Sequence, residues 1–146
     1  MNILIRTLLD VPFEKVKAGF NRELFLALAP PWAKAKLIRF DGCKTGDQVH
    51  LEMQMLGIKD EWESLITHHS DTPSEWSFID EGKVLPKPLS NWKHHHRVVR
   101  ISEQQTEIVD DIHFECRPSF LAPLMFPVLW ASFAIRPGRY KAFFKG

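Results

Sequence analysis

Polar and apolar positions alternate most cleanly over two stretches, Trp92 to Ile101 and Thr106 to Phe114. Trp92, His94, His96 and Val98 share one phase of the first. Thr106, Ile108, Asp110, Ile112 and Phe114 share one phase of the second. Successive strand side chains point to opposite faces, so each set lines a single surface. Ser102 to Gln105 is too short for anything but a hairpin connection. The two phases can share a face only if the loop has an odd length. A three-residue loop, Ser102 to Gln104, sets His96 opposite Asp110, with Cβ atoms about 5 Å apart. A five-residue loop sets Val98 there and leaves His96 diagonal to the carboxylate. In either register a His and an Asp meet on a mostly apolar surface. Burying either charge alone is costly, so they must pair or face trapped water. Such a surface suits a ligand pocket better than a plain core.

The rest of the pattern supplies the elements around that face. Asn2 to Leu9 predicts a first strand. Asp10 is placed to cap a helix that has Pro12 in its first turn and Glu14 at its positive end. Val16, Phe20, Leu24 and Leu28 recur at helical spacing over two short helices meeting near Asn21, and Ala29-Pro30-Pro31-Trp32 stops them. Strands are then expected over Lys36 to Phe40, Val49 to Met55, Lys59 to His69 and Trp76 to Ile79, the last closed by Glu81-Gly82. Lys83 to Asn91, with Pro86, Pro88 and Ser90, reads as a loop. Met53, Met55, Trp62, Trp76 and Phe78 are large or adaptable groups expected on the concave face, and all but Trp76 are counted as pocket walls.

Pro118 to Ile135 contains no charged residue over 18 positions, which is near the lower limit for a membrane span. Pro118, Pro123 and Pro127 favour a kinked helix against the sheet instead, and no stable insertion is expected. Leu124, Val128, Ala131 and Ile135 follow a helix period, with the first three facing the pocket. Arg136, Arg139, Lys141 and Lys145 gather near the C-terminal end and suit the helix dipole. The layout is α+β: a curved antiparallel sheet, two short helices after strand 1, and a long C-terminal helix.

Composition narrows the partners. The 146 residues fit one domain over 1–146, able to bury roughly 68–70% of the unfolded surface. Nineteen Lys and Arg against eighteen Asp and Glu leave no field that favours nucleic acid. Cys43 and Cys116 are well separated and read as free thiols. The apolar run after Met1 is too short for a signal peptide, so the expected compartment is the cytoplasm. A monomer or homodimer is expected.

Few motifs carry chemistry. His94 and His96 sit two apart on one face, a spacing some sheet-borne zinc sites use, with His68, Asp110 or Cys116 as a third ligand. No spacing demands any of the three, and no metal or other cofactor is expected. Phosphate loops, GxSxG elbows and HExxH motifs are all absent from the sequence. His96 and Asp110 are the candidates for acid–base work.

Trp92-x-His94-x-His96, then Thr106-x-Ile108-x-Asp110-x-Ile112-x-Phe114, then a helix ending Phe133-Ala134-Ile135-Arg136 resembles the SRPBCC or START-like superfamily. Within it, the pattern is similar to ligand-binding SRPBCC proteins near the polyketide cyclase/dehydrase group. The resemblance implies a helix-grip fold, with Trp92, His94, His96 and Asp110 facing a deep apolar cavity. It implies binding or carriage of a small hydrophobic ligand such as a lipid, fatty acid or aromatic metabolite. The alternative is a cyclase- or dehydratase-like enzyme using the His–Asp pair. Without a nucleophile or oxyanion donor visible in the residues, binding is preferred over catalysis.

Overall fold

Alternation makes strands, and short connections pair successive strands, except the first, which pairs with the last. The computed structural model describes residues 1–55 and 57–145, and the Met55 side chain lies outside that description. In chain order it contains β1 (Asn2–Leu9), α1 (Phe13–Ala18), α2 (Arg22–Ala27), β2 (Lys34–Phe40), β3 (Gln48–Met55) and β4 (Ile58–Asp71). There follow β5 (Glu75–Val84), β6 (Leu89–Arg100), β7 (Thr106–Cys116), a 3-10 turn (Ser119–Leu121), α3 (Ala122–Ala134) and α4 (Arg136–Lys145). The sheet runs β1-β7-β6-β5-β4-β3-β2, antiparallel throughout. Register shifts at Leu37/Arg39, Glu63/Ser64, Ile66/His68 and Leu89/Asn91 mark bulges, which bend strands and raise their twist. The sheet therefore curves around the C-terminal helix. This is the helix-grip arrangement expected.

Three local expectations change. Asp10 does not cap α1: Pro12 holds the cap position without a side-chain bond, and the Asp10 carboxylate accepts from Gln105 instead. Asn21 does cap α2, accepting from the Leu24 N–H at 3.0 Å. Glu81-Gly82 does not close β5, which runs on to Val84. Gly82 stays inside the strand because a Cβ there would meet Leu85 at 2.5 Å. The third change is helical phase. Leu124 is 68% exposed and Val128 is 42% exposed, whereas Leu129 and Phe133 are buried. The buried stripe thus sits one position beyond the expected one.

The helix from Ser119 to Lys145 is long and apolar enough to cross a membrane by length and composition. Its break lies at Ile135, not at Pro127, which α3 absorbs. Pro137 explains the site: it has no N–H for the Phe133 carbonyl and its ring crowds that carbonyl. Beyond the break, α4 turns Tyr140 and Phe144 into the sheet, where both are buried.

Two apolar clusters fill opposite ends of the concave face. One joins Phe13, Val16, Leu24, Phe78, Val98, Ile108, Tyr140 and Phe144. The other joins Ile3, Trp92, Ile112, Phe114, Leu129 and Phe133. Along β6 the order is Trp92, His94, His96, Val98, and along β7 it is Ile108, Asp110, Ile112. A polar band therefore separates the two cores.

Phe144 ties α4 to α1, since its ring fills the space where a Cβ on Gly19 would stand, at 2.3 Å. Phe144→Ala should cost about 3–5 kcal/mol in urea unfolding. Phe120→Ser, at a position 69% exposed, should stay within about 0.5 kcal/mol. Equal losses in the two variants would contradict the packing described.

Candidate functional site

The β6–β7 hairpin adopts the register of the three-residue loop, with His96 opposite Asp110, Val98 opposite Ile108 and Arg100 opposite Thr106. On the other flank β5 sets Phe78 opposite His96 and Asp80 opposite His94. Each imidazole then reaches diagonally rather than straight across. His94 Nε2 lies 2.8 Å from Asp110 Oδ1, and His96 Nε2 lies 2.6 Å from Asp80 Oδ2. The direct His96–Asp110 pair is longer, 3.9 Å from Nδ1 to Oδ1. His and Asp do meet, but through two diagonal pairs, and the second carboxylate comes from β5.

Asp110 is fully buried and collects partners from α4 as well. Arg136 Nη1 donates to Oδ1 at 3.0 Å, and the Tyr140 hydroxyl donates to Oδ2 at 3.2 Å. These two residues are four apart, so one helix face carries both. Arg136 also lies over the Phe133 ring, 4.3 Å from its centroid. The rings of Phe78, His96 and His94 form a stack, with centroids 4.2 Å apart in the first pair and 3.5 Å in the second.

Burial shapes the protonation of the band. His94 is pushed down to about 4, first by burial and then by the neighbouring His96, against the pull of its carboxylates. Its neutral ring therefore donates from Nε2 to Asp110. Burial alone would raise the Asp110 carboxyl, but Arg136 and the His94 hydrogen bond together hold it below the ordinary carboxylate range. For Asp80 burial is likewise outweighed, chiefly by the hydrogen bond from His96. Burial and the Asp110 charge keep the Tyr140 hydroxyl protonated.

Beside this band lies a cavity of about 490 Å³ between the sheet, α2 and α3. Trp92, His94, His96, Met53, Trp62, Phe78 and Val128 line it, as expected from the sequence. Asp110 and Ile112 do not: both are buried in the layer behind the wall. Leu124 and Ala131 lie off the lining because of the shifted helical phase. Lining residues outside the expected set include Phe25, Asp80, Met125, Leu129, Phe133 and Arg136. Five of them had a signal. Asp80 continues the β5 phase of Phe78, and Met125, Leu129, Phe133, Arg136 and Tyr140 form one helical stripe. Exposed Leu26, Ile58, Lys87 and Val128 mark the mouth, and the buried histidines mark the floor.

Asp80, His94 and His96 bring potential ligand atoms within 4.8 Å of one another. Of the third ligands weighed from the sequence, His68 is exposed, Cys116 is in the apolar core, and Asp110 is committed to Arg136 and Tyr140. The stack argues against a shared ion. Lone pairs lie in the ring plane, and two rings 3.5 Å apart and 25° from parallel cannot both aim at one centre at bonding distance.

No family model matches the chain, and no curated protein matches its sequence. Solved structures do. The Zhui aromatase/cyclase from Streptomyces sp. R1128 superimposes with a TM-score of 0.76 at 13% identity, covering 99% of this chain and 93% of its own. A START superfamily protein from Mycobacterium smegmatis gives 0.62 at 11% identity, covering 97% of each chain. The protein Ara h 8.0201 gives 0.66 at 13% identity, covering 99% of this chain and 95% of its own. At such identities the likeness establishes the fold, which is the helix-grip, START-like one, and leaves function to the site.

Acid should destabilise this protein through His94. Its folded-state value is about 4, against about 6.5 for a free imidazole, so the unfolded chain binds more protons between the two. Stability is fully present above about pH 6.5 and falls as the pH drops toward 4. Urea midpoints measured across this window should decline, and His94→Gln should flatten the decline. A variant as acid-sensitive as the parent would place the effect elsewhere.

Proposed function

We propose that the chain, folded as one domain over 1–146, binds or carries a small hydrophobic ligand in the cavity between sheet and C-terminal helix. The observation behind this reading is the 490 Å³ hollow itself: aromatic and aliphatic walls with a few convergent polar groups at one end. A core that only had to be stable would close such a space, because lost contacts make cavities costly. Lipids, fatty acids and aromatic metabolites are the classes considered, with Trp92, Trp62, Met53 and Phe78 as wall groups. Asp80 and His94 orient the ligand directly, and His96 and Asp110 act through them from behind.

Stable membrane insertion does not suit the helix, since withdrawing Phe133, Tyr140 and Phe144 would open both cores. A cytoplasmic monomer or homodimer without nucleic-acid or metal partners completes the reading. The near balance of charge supports the exclusion of nucleic acid.

A second reading is favoured by the 2.6 Å His96–Asp80 contact, which is the geometry of an oriented general base. It makes the protein a cyclase- or dehydratase-like enzyme, with the orienting carboxylate on Asp80 rather than Asp110. A similar fold serves a protein named aromatase/cyclase.

Met53→Trp, which puts an indole into the hollow, should weaken binding of a neutral apolar dye about tenfold or more while the unfolding midpoint holds. Undiminished affinity would remove the cavity from consideration. For the enzyme reading, His96→Asn should abolish conversion of a linear polyketide while dye affinity and fold survive. If His96→Asn unfolds the chain, His96 is a structural residue.

A further inference from the structure

Taking the hollow as a binding site, as above, we propose that its buried end selects a neutral hydroxyl head group and refuses a carboxylate. Most polar atoms of the band are engaged within the protein. His94 and His96 give their Nε2 positions to Asp110 and Asp80, and Arg136 gives Nη1 to Asp110 and Tyr140. Among the described residues, three atoms of the floor remain reachable and without a hydrogen-bond partner: Asp80 Oδ1, His94 Nδ1 and Arg136 Nη2. They are absent from the sealed, unpartnered atoms, which are Thr7 Oγ1, His50 Nε2, His96 Nδ1 and Arg136 Nε. All three residues line the cavity, and the Asp80 side chain keeps 14% of its surface open. Two of the open atoms accept, Asp80 Oδ1 and the Nδ1 of the neutral His94 ring, and Arg136 Nη2 donates. A hydroxyl serves both kinds, giving its proton to an acceptor, Asp80 first, and taking one from Arg136.

Charge decides against the acid. The groups facing the floor are Asp80 on β5, His94 and His96 on β6, Asp110 on β7, and Arg136 and Tyr140 on α4. Two carboxylates, Asp80 and Asp110, face one guanidinium, Arg136, so anionic groups outnumber the permanent cation by one. Asp60 and Lys87 line the cavity farther out, are exposed and offset each other. An incoming carboxylate would double the buried excess, in a wall that offers little solvation. The open Arg136 Nη2 does not cancel that excess, since the guanidinium charge already answers Asp110. An ether of the same length accepts from Arg136 but cannot donate to Asp80.

The test is displacement of bound N-phenylnaphthylamine from the intact chain by decanol, its methyl ether and decanoate. Decanol should displace the dye at about tenfold lower concentration than either of the others, and Asp80→Asn should narrow the gap to decanoate about tenfold. Decanoate matching or beating decanol overturns the proposal, as does an ether equal to the alcohol. If all three compete alike, head-group selection alone falls. If the dye binds and none of the three displaces it, the hollow is not their site and both readings fall together.

Discussion

A carboxylate with no exposed surface, in a layer between two apolar cores, sets the terms for everything around it. Asp110 cannot keep its charge there without donors, and isolated burial of such a charge costs far more than a domain's net stability. Its donors come from β6 and α4, elements that chain order keeps well apart. Meeting that demand fixes the height of α4 on the sheet and the rotation of its first turn. The break at Ile135 follows from the same demand. A single straight axis would have to serve both the Phe133 stripe and the Arg136–Tyr140 pair, and Pro137 supplies the discontinuity between them.

Polar groups that hold a helix in place also hold it off the sheet. Side chains of the band meet through hydrogen bonds rather than interdigitating like aliphatic groups. Next to them α3 does not descend fully, and space remains over β3, β4 and β5. The large groups around it are tied up elsewhere. Trp62 and Trp92 lock edge to face at 4.7 Å between centroids, and Phe78 is stacked on His96. Buried ion clusters add little to stability compared with well-packed apolar groups. Here the cluster is understood better as the scaffold of a hollow than as a source of stability.

Much of this was legible along the chain, and the exceptions have physical causes. Strand phase has a period of two, so Trp92, His94, His96 and Val98 could be assigned to one face without ambiguity. Hairpin arithmetic likewise confined His96 to two registers, one of which is observed. What strand phase cannot tell is which diagonal partner an imidazole chooses, because that depends on the carboxylates available on both flanking strands. Asp80 was hidden by ending β5 too early at a glycine that is packed against Leu85 rather than turning. Helical phase is weaker where no residue is charged. From Pro118 to Ile135 no charge marks an outer face, so Leu124 and Leu129 were equivalent until the sheet was present. Arg136 was assigned to the helix dipole on charge alone, although its spacing from Phe133 placed it on the buried stripe.

Whether such a band serves binding or reaction turns on how its donors are spent. A general base needs a lone pair facing the substrate, and an oxyanion site needs an unspent donor aimed at the developing charge. His94 spends Nε2 on Asp110 and keeps Nδ1 open, 3.8 Å from the Asp80 carboxylate, whereas the Nδ1 of His96 is sealed beneath the wall facing β7. His96 Nε2 faces Asp80 at 2.6 Å, so it can take a substrate proton only by giving up that contact. The unspent Arg136 nitrogen can polarise an oxygen, but the Asp80 charge acts on the same guanidinium and opposes the build-up of an oxyanion. The floor thus combines open acceptors on Asp80 and His94 with one open donor on Arg136. A base role for His96 requires the His96–Asp80 contact to open when ligand enters.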